Sequence, residues 1–284
     1  MSMSETEKLP VVFVVGSGHC GSTLLDMLLS AHPEMFGMGE LKGIEYIANG
    51  REMNCACGAA VEQCEVWSHV LSAVDDGMLV SIRQKMLDVL TGRSRYFAKT
   101  GEIDNATYIR QQEAVYTALQ ARTGAKVLID SSKMPERPML LEGSKVVAPI
   151  MLHIIRDPRA VTWSYVRKYG KWSSHLFPWL KSNQKIEILK RRFQGKVVTI
   201  RYEDLVADPE KVLREVMTVI GLDFAPTMLA YRDAAQHQLA GNRMRLKKEG
   251  GISRDTSWEK DMPRGLRTIV SAVSAPLARK YGYR

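Results

Sequence analysis

Gly16-Ser17-Gly18-His19-Cys20-Gly21-Ser22-Thr23 sets two glycines five positions apart and follows the second with two hydroxyls. Glycines let a backbone curl around an anion and aim its N–H groups at the oxygens. The spacing is that of a phosphate loop, G-x-x-x-x-G-K-[ST], with Ser22 in the lysine position. In nucleoside triphosphatases that lysine reaches the β- and γ-phosphates. Its replacement here counts against ATP or GTP turnover. The rival reading, a nucleotide kinase or ATPase, would use Val127-Leu128-Ile129-Asp130 as its Mg²⁺-supporting strand.

A second anion site is expected at Arg156-Asp157-Pro158-Arg159-Ala160-Val161-Thr162-Trp163-Ser164. Asp157 is placed to cap a helix and Pro158 to be its first residue. Arg156 then stands at the carboxyl edge of a strand, where open α/β sheets bind ligands. A guanidinium grips phosphate through two parallel hydrogen bonds. Ser164, two turns into that helix, offers a hydroxyl to the same anion.

The elements that must hold these residues alternate short apolar runs with longer periodic ones. That pattern predicts an α/β fold with a mainly parallel sheet. Strands are expected at Pro10–Val15, Lys126–Asp130, Ile150–Ile155 and Lys196–Ile200. Helices are expected at Ser22–Ser30 and Asn105–Arg122, and after Asp208-Pro209 with Val212, Leu213, Val216 and Ile220 inward and Gly221 as the stop. Leu79, Ile82, Met86 and Leu90, closed by Gly92, suggest another. Leu266, Ile269, Val270, Val273 and Leu277 mark the last. No linker stands out, so one domain over residues 1–284 is expected, with 50–101 as a helical insertion or cap.

The 284 residues carry 40 Lys and Arg against 31 Asp and Glu, a net charge of +9. From His237 to Arg284 there are 11 basic and four acidic residues, so the excess concentrates there. Such a balance points to an anionic partner. At 45% hydrophobic and 25% charged residues the chain is neither disordered nor fibrous. No apolar run reaches 18 residues, and the first eight residues lack a basic flank, so a soluble, cytoplasmic protein with reduced cysteines is expected. No zinc-finger, RRM or comparable signature supports nucleic acid as the partner, which leaves a non-catalytic basic binder as the second rival.

Taken together, Gly16 to Leu25 with Ala31-His32-Pro33 resembles the 5′-phosphosulfate loop of the PAPS-dependent sulfotransferases, in the branch of the tyrosylprotein, carbohydrate and bacterial enzymes. Arg156 to Ser164 resembles their 3′-phosphate motif. Asp130-Ser131-Ser132-Lys133, Arg201-Tyr202-Glu203-Asp204-Leu205 before Asp208-Pro209, and Gly241-Asn242-Arg243-Met244-Arg245 before Trp258 fit the same family. The resemblance implies a P-loop-like three-layer α/β/α fold that binds 3′-phosphoadenosine-5′-phosphosulfate (PAPS). It also implies sulfuryl transfer to a hydroxyl or amine, leaving adenosine 3′,5′-bisphosphate (PAP). By that likeness Gly18, His19, Cys20, Gly21, Ser22 and Thr23 hold the 5′ end, and Arg156 and Ser164 the 3′-phosphate. Arg243 and Arg245 close over the same ligand.

Transfer needs alignment, stabilisation of the leaving oxygen and a base. Many members of the family carry Lys or Arg where this chain has His19. A neutral imidazole is a weaker electrostatic partner, so Lys133, at a strand end facing the same edge, is expected to supply the charge. Glu40, in Gly37-Met38-Gly39-Glu40-Leu41, matches the family's base. Cys55-x-Cys57-x6-Cys64, with His69 nearby, has the ligand types of a Cys₃His zinc site. Its spacing is irregular and the reaction asks for no metal, so no metal is expected, and a disulfide among the three is the oxidised alternative. Trp172, His175, Phe177 and Trp179 either line the acceptor cleft or pack as core.

Overall fold

The computed structural model describes residues 8–47, 52–73, 105–170, 176–247 and 249–284. Five strands form one all-parallel sheet: β1 (Leu9–Val15), β2 (Met35–Gly37), β3 (Val127–Asp130), β4 (Val147–Ile155) and β5 (Lys196–Arg201), in the order β2-β3-β1-β4-β5. Among the described residues the helices of nine or more residues are α1 (Ser22–Ser30), α2 (Asn105–Thr123), α3 (Pro158–Tyr169), α4 (Leu176–Lys190), α5 (Pro209–Ile220) and α6 (Arg264–Lys280).

The central strand explains the layering. Leu9, Val11, Phe13 and Val15 enter the core on one face of the sheet, with Tyr116 and Leu119 of α2 and Ile186 and Leu189 of α4. Val12 and Val14 enter the core on the other, with Leu25 and Leu28 of α1 and Leu213 and Val216 of α5. A strand covered on both faces reads as a continuous apolar run, not as an alternation. Helices on both faces of a parallel sheet make the three-layer α/β/α arrangement expected from the sequence.

Strand β2 was not foreseen. Its three residues are too few for a periodicity to show. The turn that delivers it is built on His32, whose Nδ1 accepts from the Glu34 N–H at 3.1 Å and whose Nε2 meets the Asp223 carbonyl at 3.0 Å. Strand β4 starts three residues earlier than expected, at Val147. The helix expected around Leu79–Leu90, and Trp172 and His175, lie outside the described residues. So does most of the suggested insertion at 50–101. Trp179 is core: it is 1% exposed and its indole N–H donates to the Arg156 carbonyl at 2.8 Å. Phe177 is exposed and lies outside the cleft described below.

All four cysteines are free thiols. The histidine that meets Cys55, Cys57 and Cys64 is His237, not His69. Chain proximity pointed to the wrong imidazole, because the right one arrives from a segment more than 170 residues away. Among the described residues no helix is long and apolar enough to cross a membrane.

Candidate active site

The loop between β1 and α1 sits at the carboxyl edge of the sheet. Its glycines sit close against their neighbours. A β-carbon on Gly18 would lie 1.8 Å from the Tyr165 hydroxyl. Gly21 has φ +99°, and a β-carbon there would meet the Tyr202 ring at 2.4 Å. Gly21 is the N-cap of α1, and no side chain caps that helix. The first amides of a helix have no partner within it. Uncapped, they and the positive end of the helix dipole suit an anion.

The second motif folds onto the loop. Asp157 caps α3, its carboxylate accepting from the Arg159 N–H at 2.8 Å. Glu203 locks this corner from the next strand end, accepting from the Asp157 N–H at 3.0 Å and from the Tyr283 hydroxyl at 2.6 Å. Arg156 is thereby fixed just past β4. Its Nη1 donates to the His19 carbonyl at 3.2 Å and its guanidinium lies 4.5 Å from the centre of the Tyr202 ring. Asp255 faces it at 3.4 Å. Arg156 Nε is buried and has no hydrogen-bond partner among the described residues. His19 ties the motifs together a second time. It takes a left-handed conformation, φ 61°, and its Nδ1 lies 2.6 Å from Ser164 Oγ. Its ring centre is 4.1 Å from that of Tyr165.

Glu40 and Lys133 come from neighbouring strand ends, just past β2 and β3, and form an ion pair. Lys42 reaches the other Glu40 oxygen at 2.8 Å. Burial alone would raise the Glu40 carboxyl. The charges of Lys133 and Lys42, with their hydrogen bonds, outweigh it and hold the group below the usual glutamate range. Glu40 is therefore ionised at neutral pH, the form in which a base acts.

These parts enclose one cleft of about 480 Å³, lined by Gly18, His19, Gly21, Ser22, Thr23, Glu40, Lys133, Arg156 and Ser164 among others. Another cavity of about 450 Å³ lies along α6 and holds none of these residues. Asp130, the candidate Mg²⁺ carboxylate of the kinase reading, faces away. It is 1% exposed, accepts from Arg137 Nε at 2.7 Å and from the Ser132 N–H at 2.9 Å, and so is fully engaged.

Residues 10–226 match the family model described as the sulfotransferase family. The chain belongs to the sulfotransferase family. Among solved structures, the sulfotransferase domain of the Synechococcus PCC 7002 olefin synthase is similar over 100% of this chain and 98% of that one, at 23% identity and a TM-score of 0.54. The sulfotransferase domain from the curacin biosynthetic pathway is similar over 98% and 99%, at 20% identity and a TM-score of 0.60. A Mycobacterium avium sulfotransferase is similar over 98% and 78%, at 14% identity and a TM-score of 0.51. No curated protein sequence matches. At these identities the structures speak for the fold, and the family match carries the activity class.

In this sulfotransferase three expected site residues stand apart from the cleft. Cys20 is fully buried in the core beneath the loop and offers only its main chain. Arg245 donates to the carbonyls of Ala240 and, at 3.1 Å, Asn54, so it braces the loop that carries it. Arg243 is exposed and outside the lining. From the basic C-terminal stretch the cleft takes Gly241, Asn242, Met244, Gly251 and Ser253, none of them cationic. Among the described residues its lining cations are Lys133, Arg156 and Lys168. Tyr165 and Lys168 were missed as lining residues. Lys168, four positions beyond Ser164 on α3, shares its helix face and could have been found by that spacing; Tyr165, one position on, could not.

Proposed function

We propose that the cleft binds PAPS and moves its sulfuryl group to a hydroxyl or amine acceptor by in-line displacement. The observation that carries this is the convergence of two anion-binding elements on one cleft whose far wall holds an ionised carboxylate paired with a lysine. The buried, unpartnered Arg156 Nε and the uncapped start of α1 suit a ligand with phosphate at both ends.

The residues divide the work. The loop amides from Gly18 to Thr23 hold the 5′ end. Arg156 and Ser164 hold the 3′-phosphate, with Asp255 giving way at the guanidinium. Glu40 takes the proton of the attacking hydroxyl while its oxygen bonds to sulfur and the sulfur–oxygen bond to the 5′-phosphate breaks. The proton ends on Glu40 and PAP leaves. A protonated Glu40 no longer holds Lys133 by charge. The ammonium is then released to the leaving oxygen as negative charge grows there. His19, held by Ser164 and Tyr165, gives a hydrogen bond on the same side.

The test is ligand-induced stabilisation followed by turnover. PAP should raise the melting temperature more than Mg-ATP does, since only a ligand of the native state stabilises it. Labelled sulfate from PAPS should then appear on a member of a panel of phenols, sugars, lipids and peptides. A larger shift with Mg-ATP and none with PAP overturns the assignment.

A further inference from the structure

Away from the cleft, three cysteines and one histidine turn their ligand atoms inward on a common point. We propose that Cys55, Cys57, Cys64 and His237 form a structural zinc site. The four ligand atoms all lie within 4.8 Å of one another. The Sγ atoms of Cys64 and Cys55 are 3.6 Å apart, and those of Cys57 and Cys64 are 3.8 Å apart. His237 Nδ1 lies 3.3 Å from Cys64 Sγ and 3.8 Å from Cys55 Sγ. A tetrahedral zinc has arms of about 2.3 Å to sulfur and about 2.0 Å to nitrogen. Those arms give sulfur–sulfur edges of about 3.8 Å and sulfur–nitrogen edges of about 3.5 Å. These four edges each lie within about 0.3 Å of the tetrahedral values, and the sulfur–sulfur ones exceed the roughly 2.05 Å of a disulfide.

The ligands are held before any ion arrives. Cys55 and Cys57 lie on a tight turn in which the Cys55 N–H donates to the Ala59 carbonyl at 2.9 Å and the Gly58 N–H donates to the Cys55 carbonyl at 3.0 Å. Cys64 closes the short 3₁₀ turn Val61–Gln63. The opposing segment is clamped at two successive carbonyls. Trp67 Nε1 donates to the His237 carbonyl at 2.6 Å, and the Ala56 N–H donates to the Gln238 carbonyl at 3.1 Å. The outer ring nitrogen of His237, Nε2, faces Glu65 Oε1 at 3.6 Å. A carboxylate behind a histidine ligand is the usual support of a zinc imidazole.

Three sulfurs and one imidazole select zinc over the hard cations, which take oxygen ligands. Four protein ligands leave no open position, so the ion would be structural and not catalytic. No cysteine lines the catalytic cleft. The place of the site explains its use. Two residues beyond His237, Leu239 accepts from the Glu40 N–H at 2.9 Å and donates to the Met38 carbonyl at 2.9 Å. The same segment continues to Gly241, Asn242 and Met244 in the cleft wall. Zinc would rivet this late segment to the Cys55–Cys64 turn, and so hold the main chain of Glu40 and one wall of the cleft.

The test uses the full chain, purified under reducing conditions without chelator, with metal content measured by mass spectrometry. One zinc per chain is expected. Cobalt(II) added to chelator-stripped protein should give the visible bands of a tetrahedral thiolate site. Cys57 is exposed, so Cys57→Ser should fold and yet lose its zinc to a competing chelator far faster than wild type. Glu65→Gln should bind zinc roughly 10- to 100-fold more weakly. Three results overturn the proposal. One is wild-type protein that contains no zinc and takes up neither zinc nor cobalt. Another is a Cys55–Cys64 or Cys57–Cys64 disulfide in the freshly isolated protein. The third is a Cys57→Ser variant that retains zinc as wild type does. None of these three results measures PAP binding, so the zinc site can fail while the proposed catalytic function stands.

Discussion

Glu40 and Lys133 are ion-paired at adjoining strand ends, with side chains only 13% and 17% exposed. The sequence assigns them separate tasks, proton acceptor and leaving-group cation. The structure couples them: each sets the charge state that the other experiences. A half-buried pair of this kind keeps much of its Coulomb energy because water screens it poorly.

That coupling predicts a pH signature. Wild-type activity should lose its acid limb below the ordinary glutamate value of about 4.3, because Lys133 and Lys42 depress the Glu40 carboxyl. Lys133→Met removes one of those charges, so the limb should move to higher pH while kcat falls. Glu40→Gln should keep PAP affinity and lower kcat by roughly 10²–10⁴, the usual worth of a general base. Profiles of kcat against pH for the three proteins decide it. An acid limb that stays put in Lys133→Met would assign the base elsewhere, with His19 next.

Arg156→Ala should weaken PAP binding by about 2 kcal/mol or more, the scale of a charge-assisted hydrogen-bonded pair. Calorimetry on the folded variant measures this. Arg245→Ala should affect PAP much less, since that side chain lies outside the cleft lining and braces two main-chain carbonyls. Equal losses in the two variants would contradict the placement of the 3′-phosphate at Arg156.

Asp26 predicts a pH dependence of stability. Burial raises its carboxyl from 3.8 to about 6, against hydrogen bonds from Ser131, Gln238 and Ser30 that act the other way. A raised folded pKa means that the native state binds the proton more tightly than the unfolded chain. The stabilisation is therefore full below about pH 4 and is lost as pH rises through about 6. Asp26→Asn does not titrate. Its stability relative to wild type should climb by up to about 3 kcal/mol between acid and mildly alkaline pH. Urea melts of both proteins at the two ends of that range are the check, and a constant difference would refute the shift.

Arg137 should matter for folding and not for chemistry. It is 1% exposed and donates to Asp130, Gln112, Tyr108 and Tyr116. Removing one partner strands the buried Asp130 charge, so Arg137→Ala should destabilise by about 3–5 kcal/mol. Denaturant unfolding measures it. A loss under 1 kcal/mol would show that Asp130 is neutral or solvated.

Much of the candidate cleft was legible because its parts are local. The glycine loop, the Asp157-Pro158 cap and the strand-end arginine each declare themselves within ten residues. Their types fix backbone conformation or capping before any tertiary contact forms. Strands β1, β3 and β4 were legible because strands buried on both faces are largely unbroken apolar runs, and the partly exposed edge strand β5 by its β-branched Val-Val-Thr-Ile run. Other features belong to the folded chain alone. Strand β2 takes its identity from pairing with β3, not from its three residues. Arg243 and Arg245 carry the charge to grip an anion, yet the loop turns one to solvent and the other onto carbonyls. His237 stands beside the cysteines while His69, near them in sequence, does not. In each case local chemistry named the residue types, but only the closing of long chain segments decided which atoms met. Local sequence carries propensities, and it has no term for a partner 170 residues away.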